Sequence, residues 1–479
     1  MTAQSNARPE VDSAITDIAD YVDGYQVDSR LALETAHHCL IDSLGCSFMA
    51  LAYPECTKLL GPIVPGTVVP NGARVPGTSF VLDPVQAAFN AGTLVRWLEF
   101  NDATWGETVS HPSDTLCALL VVADWLSRTR IAKGQAPLLM KEVLELGIKA
   151  YELQGQLGIL NPFRRLGFDH TIVVKLAATA TVAKLIGCTR DEIVNAVSNA
   201  WIDGHALATF RSEFNTGSRK SWAGGDAAAR GVWLALLAAK GEMGYPSALT
   251  AKTWGFYDVL FKGRKLEFER PYGTYIVENI LFKVPSPTAF HAQTAVEAGI
   301  RLHPLVRDRL DEISKVEIWS HASSLMILNK TGALHNPADR DHCLQYTVAV
   351  PLIFGHLTPE DYEDKFAADP RIDALRSKMV VAEEPAYTRG YGDPEKLSNA
   401  HAVRVHFRDG SATERVEVEF PSGHPRRRDI GVPLVFEKFD RGLAVVFAPK
   451  QRKVIRDLCT DAERLMKTPV DELMACITF

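Results

Sequence analysis

The chain has 479 residues, of which 46% are hydrophobic and 23% are charged, and its formal net charge is −6. This composition is that of an ordinary globular protein, and it excludes collagenous, disordered and low-complexity chains. The length favours more than one domain, and the slightly acidic balance gives no support to a nucleic-acid partner.

The cysteines and the apolar runs argue against several further classes of protein. Eight cysteines without a C-x-x-C pair indicate reduced thiols, and they argue against a zinc ribbon or an iron–sulfur site. The first twenty residues lack the apolar core of a signal peptide and are too acidic for a typical mitochondrial presequence. No apolar run is long enough for a membrane span. We therefore expect a cytoplasmic protein with no membrane partner, and we keep a mitochondrial location as the alternative.

The first half of the sequence predicts one helix after another. Apolar residues recur at helical spacing in residues 11–22, 30–52, 84–99, 172–186 and 226–243. Asp12 and Ser13 are the expected caps of the first helix, and Thr189 to Glu192 has the pattern of a capping box. The helices rich in small residues suit close packing inside a helical domain.

The pattern changes after about residue 275. Apolar residues alternate with the period of a strand in residues 315–319, 403–407 and 416–420, and Asp409-Gly410 predicts a hairpin turn. A last helix is predicted over 449–466. We therefore predict a multi-domain α and α+β fold with a large all-helical domain, residues 1–277, and a smaller α/β lid domain, residues 278–439. Residues 440–479 are expected to pack back onto the first domain.

Cofactor and nucleophile motifs are absent from the sequence. There is no phosphate-binding loop, no dinucleotide fingerprint, no nucleophile elbow and no H-E-x-x-H helix. His401 and His406 lie five residues apart on a predicted strand, which puts them on opposite faces and excludes them as a metal pair. We expect no metal and no cofactor.

Three polar stretches interrupt the apolar helical pattern, in residues 96–114, 161–175 and 211–226. In the first, Ser113 or Asp114 would cap a helix and place His111 near a helix N-terminus, where anions are favoured. His170 in the second stretch has a similar position. The third combines glycines and hydroxyls with Arg219 and Lys220. Spacing alone favours caps and turns for the first stretch, a structural histidine in the second, and slightly favours a ligand site for the third.

Imidazoles and cationic side chains without a cofactor motif suit one kind of chemistry. A proton next to a carboxylate is weakly acidic, so its removal needs a base and cationic groups that stabilise the developing enediolate. A second acid–base group can then protonate a departing hydroxyl. The residues thus point to a lyase.

Six stretches spread over the chain carry long and specific strings: RWLEFND followed by HPSD, NTGSRKSWAGGDAAARG, GEMGYPSALTA, WGFYDVLFKG, NPADRDHCLQY and DPRIDALR. They resemble the MmgE/PrpD family, and most closely its 2-methylcitrate dehydratase branch, over essentially the whole chain. The resemblance implies a helical domain with an α/β lid, a homodimer, and a carbon–oxygen lyase of class EC 4.2.1 that acts on a tricarboxylate without metal or cofactor. It also implies a place in propionate metabolism.

The resemblance also assigns roles to residues. It implies that His111, His170, Lys220 and Asp102 are catalytic, with the two histidines as acid and base. It implies that Lys220 and Lys283 clamp substrate carboxylates. The predicted substrate-binding residues are Lys283, Arg211, Arg219, Glu99 and Asn101.

The sequence departs from the branch at several of these positions. Glu99 replaces an aspartate, and Ala103 replaces a threonine unless Thr104 takes its place. The usual R-H-A-P-N-T-G is R-S-E-F-N-T-G at residues 211–217. These changes point to an altered substrate fit, so 2-methylcitrate and a longer-chain alkylcitrate from a secondary pathway to maleic anhydrides both stay open. A decarboxylase of the cis-aconitate type and a non-enzymatic anion-binding relative are the alternatives.

Overall fold

Capping side chains define where several helices begin. Asp83 accepts hydrogen bonds from the backbone N–H groups of Val85 and Gln86, both at 3.0 Å, at the start of a helix that opens with Pro84. The predicted capping box is confirmed, because Thr189 and Glu192 each accept a hydrogen bond from the other's backbone N–H. Asp12 occupies the predicted N-cap position, but its carboxylate binds the backbone N–H of Leu249 instead.

The computed structural model describes residues 6–479. The helices that precede the sheet of the second half are α1 (Ser13–Gly24), α2 (Arg30–Ala50), α3 (Pro54–Thr57), α4 (Pro84–Arg96), α5 (Ser113–Ala132), α6 (Met140–Leu160), α7 (Thr171–Leu185), α8 (Arg190–Ile202), α9 (Ala223–Ala238), α10 (Phe256–Val259), α11 (Tyr275–Glu278) and α12 (Gln293–Val306). The later helices are α13 (Ala322–Leu328), α14 (Pro337–Arg340), α15 (Leu344–Phe354), α16 (Asp364–Ala367), α17 (Pro370–Arg376), α18 (Pro385–Tyr391), α19 (Arg428–Val446), α20 (Pro449–Cys459), α21 (Ala462–Lys467) and α22 (Val470–Cys476). The strands are β1 (Ala73–Arg74), β2 (Val81–Leu82), β3 (Ile313–Ser320), β4 (Met379–Glu383), β5 (His401–Phe407) and β6 (Val416–Val418).

One hydrophobic core is built by helices from both ends of the chain. It collects buried residues from Ala14 to Val284 and again from Val435 to Ile477. At the crossing of α4 and α9, a Cβ added to Gly92 would lie 2.4 Å from the Cα of Gly225, so the two backbones touch. This contact brings the end of α4 next to the segment that precedes α9.

A second core lies under a four-stranded mixed sheet. The strand order is β4-β3-β5-β6, with β4 parallel to β3 and the other pairs antiparallel. Val316 faces Val405 across β3 and β5, and Ile318 faces Val403. The sheet packs on α12, which packs in turn on α15. We refer to the two cores with their elements as the larger and the smaller body.

The structure corrects three details of the predicted elements. The last helix does not run unbroken over 449–466, because Asp461 interrupts it and caps α21 by accepting from the N–H of Arg464. The larger body is not purely helical, because β1 and β2 form a short antiparallel pair. The parallel edge strand β4 was not predicted, since Met379 to Ala382 is a short apolar run in which polar and apolar residues do not alternate.

The described part of the chain contains no helix that combines the length and the apolarity needed to cross a membrane. All eight cysteines are free.

Candidate active site

A cavity of about 450 Å³ lies between the two bodies. The larger body contributes the end of α4 with the loop to α5, and the segments before α7 and α9. The smaller body contributes residues around 289–291, the start of α13 and the end of α18. Backbone hydrogen bonds between Ala103 and Leu281, at 2.9 and 3.0 Å, tie the wall from the first half of the chain to the segment that enters the smaller body.

Glu99 is the centre of a buried charge cluster at the cavity wall. Its carboxylate lies 2.8 Å from the Arg96 guanidinium, 3.1 Å from Lys220 Nζ and 2.6 Å from Lys283 Nζ. Burial alone would raise the pKa of Glu99, but the charges of Arg96, Lys283 and Lys220 outweigh it and hold the pKa well below its usual range. Glu99 is therefore ionised, and it neutralises part of the positive charge around it.

Lys220 connects this cluster to the smaller body. Its ammonium also lies 2.8 Å from Asp341, and the other oxygen of Asp341 lies 2.6 Å from Nδ1 of His342. Glu99, Asp341 and His342 have the geometry of a three-ligand metal site. The Lys220 ammonium already bridges the two carboxylates, so a metal ion would have to displace it against the charges of Arg96 and Lys283.

His111 presents a basic nitrogen to the cavity. Its Nδ1–H donates to the backbone carbonyl of Asp102 at 2.6 Å, which leaves the lone pair on Nε2, 4.0 Å from Glu99. Burial and the charges of Arg96 and Lys283 hold the pKa of His111 well below 6.5. The imidazole is thus neutral and oriented to accept a proton.

The carboxylate of Asp102, which was predicted to be catalytic, is hydrogen-bonded inside the protein. It accepts hydrogen bonds from the hydroxyl of Ser113, at 2.7 Å, and from the phenol of Tyr151. It also accepts from the backbone N–H of Ser113, so Asp102 caps α5 in place of the predicted Ser113 or Asp114. Asp102 therefore fixes both the helix start and the His111 ring.

His170 packs edge to face on His111, with ring centroids 5.0 Å apart. Its Nδ1 lies 3.4 Å from Asp169, and its Nε2 has no hydrogen-bond partner among the described residues. Burial lowers the pKa of His170 to about 3. Asp169 is in turn bound by Arg211 at 2.5 Å. His170 is thus also neutral, and the Asp169 carboxylate lies next to its ring on the Nδ1 side.

The structure brings some of the predicted site residues to the cavity and leaves others behind it. Of the predicted residues, four line the cavity: His111, His170, Arg211 and Glu99. The other five lie outside the lining: Lys220, Lys283, Asp102, Asn101 and Arg219. Lys220, Lys283 and Asn101 are buried, and Asn101 accepts from Arg96 at 3.1 Å. Arg219 instead lies over the Trp222 ring and pairs with Asp226 at the surface. Thr104 lines the cavity, whereas Ala103 does not.

The sequence reasoning gave no role to several residues of the lining. His291 reaches the cavity with an unpartnered Nδ1, and burial holds its pKa well below 6.5. Trp105 and Phe290 form an apolar wall, with ring centroids 4.9 Å apart, that Val109 and Leu397 extend. His291 follows Phe282-Lys283-Val284-Pro285 closely, which was the one available signal for it.

The arrangement combines neutral imidazoles, of which His111 and His170 touch each other, with guanidinium groups and an apolar wall in one cavity. Such a site suits proton transfer on an anionic substrate that carries a small apolar group.

Comparison with known proteins agrees with this chemistry. The family model of the MmgE/PrpD N-terminal domain matches residues 16–269, and that of the MmgE/PrpD C-terminal domain matches residues 286–463. A 2-methylcitrate dehydratase of Salmonella typhimurium is 56% identical over 99% of this chain and 99% of its own. The 2-methylcitrate dehydratase of Cupriavidus necator is 56% identical over 98% of both chains, and that of Escherichia coli K12 is 55% identical over 99% of both.

Proposed function

The chain belongs to the MmgE/PrpD family, and from this premise we propose that it is a hydro-lyase that converts 2-methylcitrate to 2-methyl-cis-aconitate and water. The observation that carries the proposal is the contact of two neutral histidines, His111 and His170, inside a cavity lined by guanidinium groups. Relatives named 2-methylcitrate dehydratase match over nearly the full length of the chain and support the substrate.

His111 is the base in this proposal. Its Nε2 accepts the proton from the carbon next to a substrate carboxylate, while Nδ1–H stays bound to the Asp102 carbonyl. The imidazolium that forms lies near the Glu99 carboxylate, 4.0 Å away, which stabilises its charge.

His170 is the acid that protonates the departing hydroxyl, which leaves as water. A neutral imidazole must first be protonated, and a bound tricarboxylate favours this because its negative charges raise the pKa of a nearby histidine. Asp169 at 3.4 Å adds to the same effect. After one turnover His111 holds the proton that the substrate carbon lost, and His170 has given its proton to the departing hydroxyl. Both histidines then return to their starting protonation states by proton exchange with solvent.

The cationic groups have two tasks. Arg96 and Arg211 reach the cavity and bind substrate carboxylates as they develop enediolate character. Lys220 and Lys283 act through Glu99, which they hold in place from behind the wall. We further propose that the smaller body, predicted over residues 278–439, is a lid that closes over the bound substrate, and that the protein works as a homodimer, as the family resemblance implies.

The apolar wall favours a second substrate. Trp105, Phe290, Val109 and Leu397 give the cavity room for an alkyl group larger than methyl. A longer-chain alkylcitrate is therefore the second candidate, with the same chemistry at the reacting carbons.

The test is turnover of purified protein with 2-methylcitrate and with a hexyl analogue, followed by alkene absorbance. We expect alkene without release of carbon dioxide. Carbon dioxide without loss of water would instead identify a decarboxylase, and no alkene from either compound would contradict the proposal.

Replacing the base tests the mechanism. We expect His111→Ala to lower kcat by about 100-fold or more, since positioned general bases contribute about that much. His356→Ala is the matched control, because His356 is half exposed and pairs with Asp361 away from the cavity, and it should stay within about 2-fold of the wild-type protein. Unchanged kcat in His111→Ala would remove His111 from the mechanism.

A further inference from the structure

Arg164 differs from the other arginines of the cavity lining. Arg96 pairs with Glu99, Arg165 with Glu107 and Arg211 with Asp169. Among the side chains that the structure describes, which do not include that of Glu213, no carboxylate forms an ion pair with the Arg164 guanidinium, which donates a hydrogen bond to the backbone carbonyl of Arg211 at 3.4 Å. Arg164 is thus a guanidinium in the cavity wall without an ion-pair partner among the described acidic side chains.

The nearby carboxylate is already engaged. Asp169 lies close enough to influence Arg164, but its Oδ2 is held by Arg211 at 2.5 Å and its Oδ1 accepts from the N–H of Thr171 and lies near His170. Burial lowers the pKa of Arg164 and the charge of Arg211 lowers it further, which together outweigh the opposite effect of Asp169. A partly buried cation of this kind gains from an anion that arrives with the ligand.

The backbone under Arg164 is firmly held, so the side chain does not depend on a mobile loop. Arg164 begins a short 3-10 turn, Arg164–Leu166, that Gly167 closes in a left-handed conformation with φ of 93°. The backbone N–H of Phe168 donates to the carbonyl of Phe163 at 3.0 Å across the turn. Asn161 anchors the segment through two hydrogen bonds to the backbone of Glu267, at 2.8 and 3.0 Å.

We propose that Arg164 binds one carboxylate of the tricarboxylate substrate through a fork of two N–H groups. The ligand chemistry rests on the proposed function, and the assignment adds to that function a dedicated carboxylate site in the wall of the cavity that His170 also lines. Arg96 and Arg211 share their charge with fixed acidic partners, whereas the Arg164 guanidinium is held by one long hydrogen bond to a backbone carbonyl and keeps N–H groups for the ligand. Arg164 would therefore contribute more to substrate affinity than the neighbouring Arg165, which is already paired and half exposed.

The test compares Arg164→Ala with Arg165→Ala as the matched control, in turnover of 2-methylcitrate and in calorimetric binding of tricarballylate, an unreactive tricarboxylate. We expect Arg164→Ala to raise KM and to weaken tricarballylate binding by about 30-fold or more, with kcat changed by less than about 5-fold. Arg165→Ala should change each quantity by less than about 3-fold. Equal effects of the two substitutions would overturn the assignment.

A second measurement separates ligand binding from a structural role. Guanidinium chloride at millimolar concentration should restore part of the tricarballylate affinity of Arg164→Ala, whereas sodium chloride at the same ionic strength should not. Failure of this rescue, together with a lowered melting temperature, would assign Arg164 a structural role and overturn the inference.

Measurements on the wild-type protein test the proposed function separately from the role of Arg164. Wild-type protein that binds tricarballylate but forms no alkene would contradict the dehydratase and leave the binding comparison to decide on Arg164. Wild-type protein that binds no tricarboxylate would contradict both.

Discussion

Glu99 holds a left-handed backbone conformation, with φ of 52°, directly after α4. A non-glycine residue in this region costs about 1 kcal/mol, so the surrounding contacts must impose it. Those contacts are the ion pairs to Arg96, Lys220 and Lys283. The Lys283 ammonium also donates a hydrogen bond to the backbone carbonyl of Glu99 at 3.0 Å. The conformation places one carboxylate among three cations, and the cluster depends on its charge.

Glu99→Gln should therefore destabilise the protein by about 3 kcal/mol or more, because it leaves buried cations without their counter-ion. Denaturant unfolding measures this change. Glu107→Gln is the control, since Glu107 lines the same cavity but pairs with the half-exposed Arg165, and its effect should be below about 1 kcal/mol. Equal destabilisation by both substitutions would show that the cluster is not held by the Glu99 charge.

Single residues also show where sequence reasoning stopped. The resemblance picked out Lys220 and Lys283, but their shared partner Glu99 lies 121 and 184 residues away along the chain, so spacing gave no hint of the ion pairs. Arg164 has a distinctive environment only because Asp169 is bound to Arg211, a contact across 42 residues. Composition reveals which charges exist, and only the fold reveals which of them are neutralised.

At the scale of elements, the contact of α2 and α19 joins the two ends of the chain. A Cβ added to Gly442 of α19 would lie 2.5 Å from the backbone oxygen of Gly45 in α2. Beside this contact Lys438 pairs with Asp42 at 2.5 Å and donates to the carbonyl of Phe100 at 2.8 Å. The close helix crossing therefore supports the segment that carries Glu99.

Gly442→Ala should destabilise the protein by about 1–3 kcal/mol, because the new methyl group meets backbone atoms that cannot turn aside. Gly24→Ala is the control at the end of α1, where a Cβ meets nothing within 4 Å, and it should be neutral or stabilising by up to about 1 kcal/mol. Thermal unfolding of both variants checks the prediction. A melting temperature of Gly442→Ala at or above that of Gly24→Ala would contradict it.

Elements were predictable where their signal is local. The capping box at Thr189 and Glu192 and the hairpin turn at Asp409-Gly410 depend on neighbouring residues, and the structure confirms both. The strand β4 was missed, because a parallel edge strand is defined by its partner β3. The break at Asp461 was missed although its cap is local, since apolar spacing continues across it. Local chemistry specifies helix starts and turns, whereas strand pairing is set by tertiary contacts.

At the scale of the whole molecule, most histidines are buried in neutral form. Burial lowers the pKa of ten of the fourteen: His37, His38, His111, His170, His205, His291, His321, His342, His401 and His424. The catalytic cavity thus belongs to a molecule whose interior disfavours imidazolium throughout. Because the same burial keeps the cavity histidines and the other buried histidines neutral, the protonation state of the cavity and the stability of the fold at acidic pH depend on the same groups.

The direction of the pH dependence follows from these shifts. Below pH 6.5 the unfolded chain binds protons on these histidines, while the folded protein does not until far lower pH, since for His170 and His401 the folded pKa is about 3. Their stabilising contribution is therefore complete above pH 6.5 and is lost as the pH falls. Burial raises the pKa of Asp42 to about 6 and that of Asp114 to about 7, which acts in the opposite direction, but the histidines outnumber these carboxyl groups.

We therefore expect the free energy of unfolding to fall steeply between pH 6.5 and 5, by at least about 3 kcal/mol per pH unit, since each unbalanced histidine contributes about 1.4 kcal/mol per unit. Urea unfolding at closely spaced pH values measures the slope. His401→Asn should reduce the slope by about one proton, because His401 is fully buried among hydroxyl groups. A flat profile over this range would mean that the buried histidines take up protons without unfolding, which would also remove the neutral state that the proposed base His111 requires.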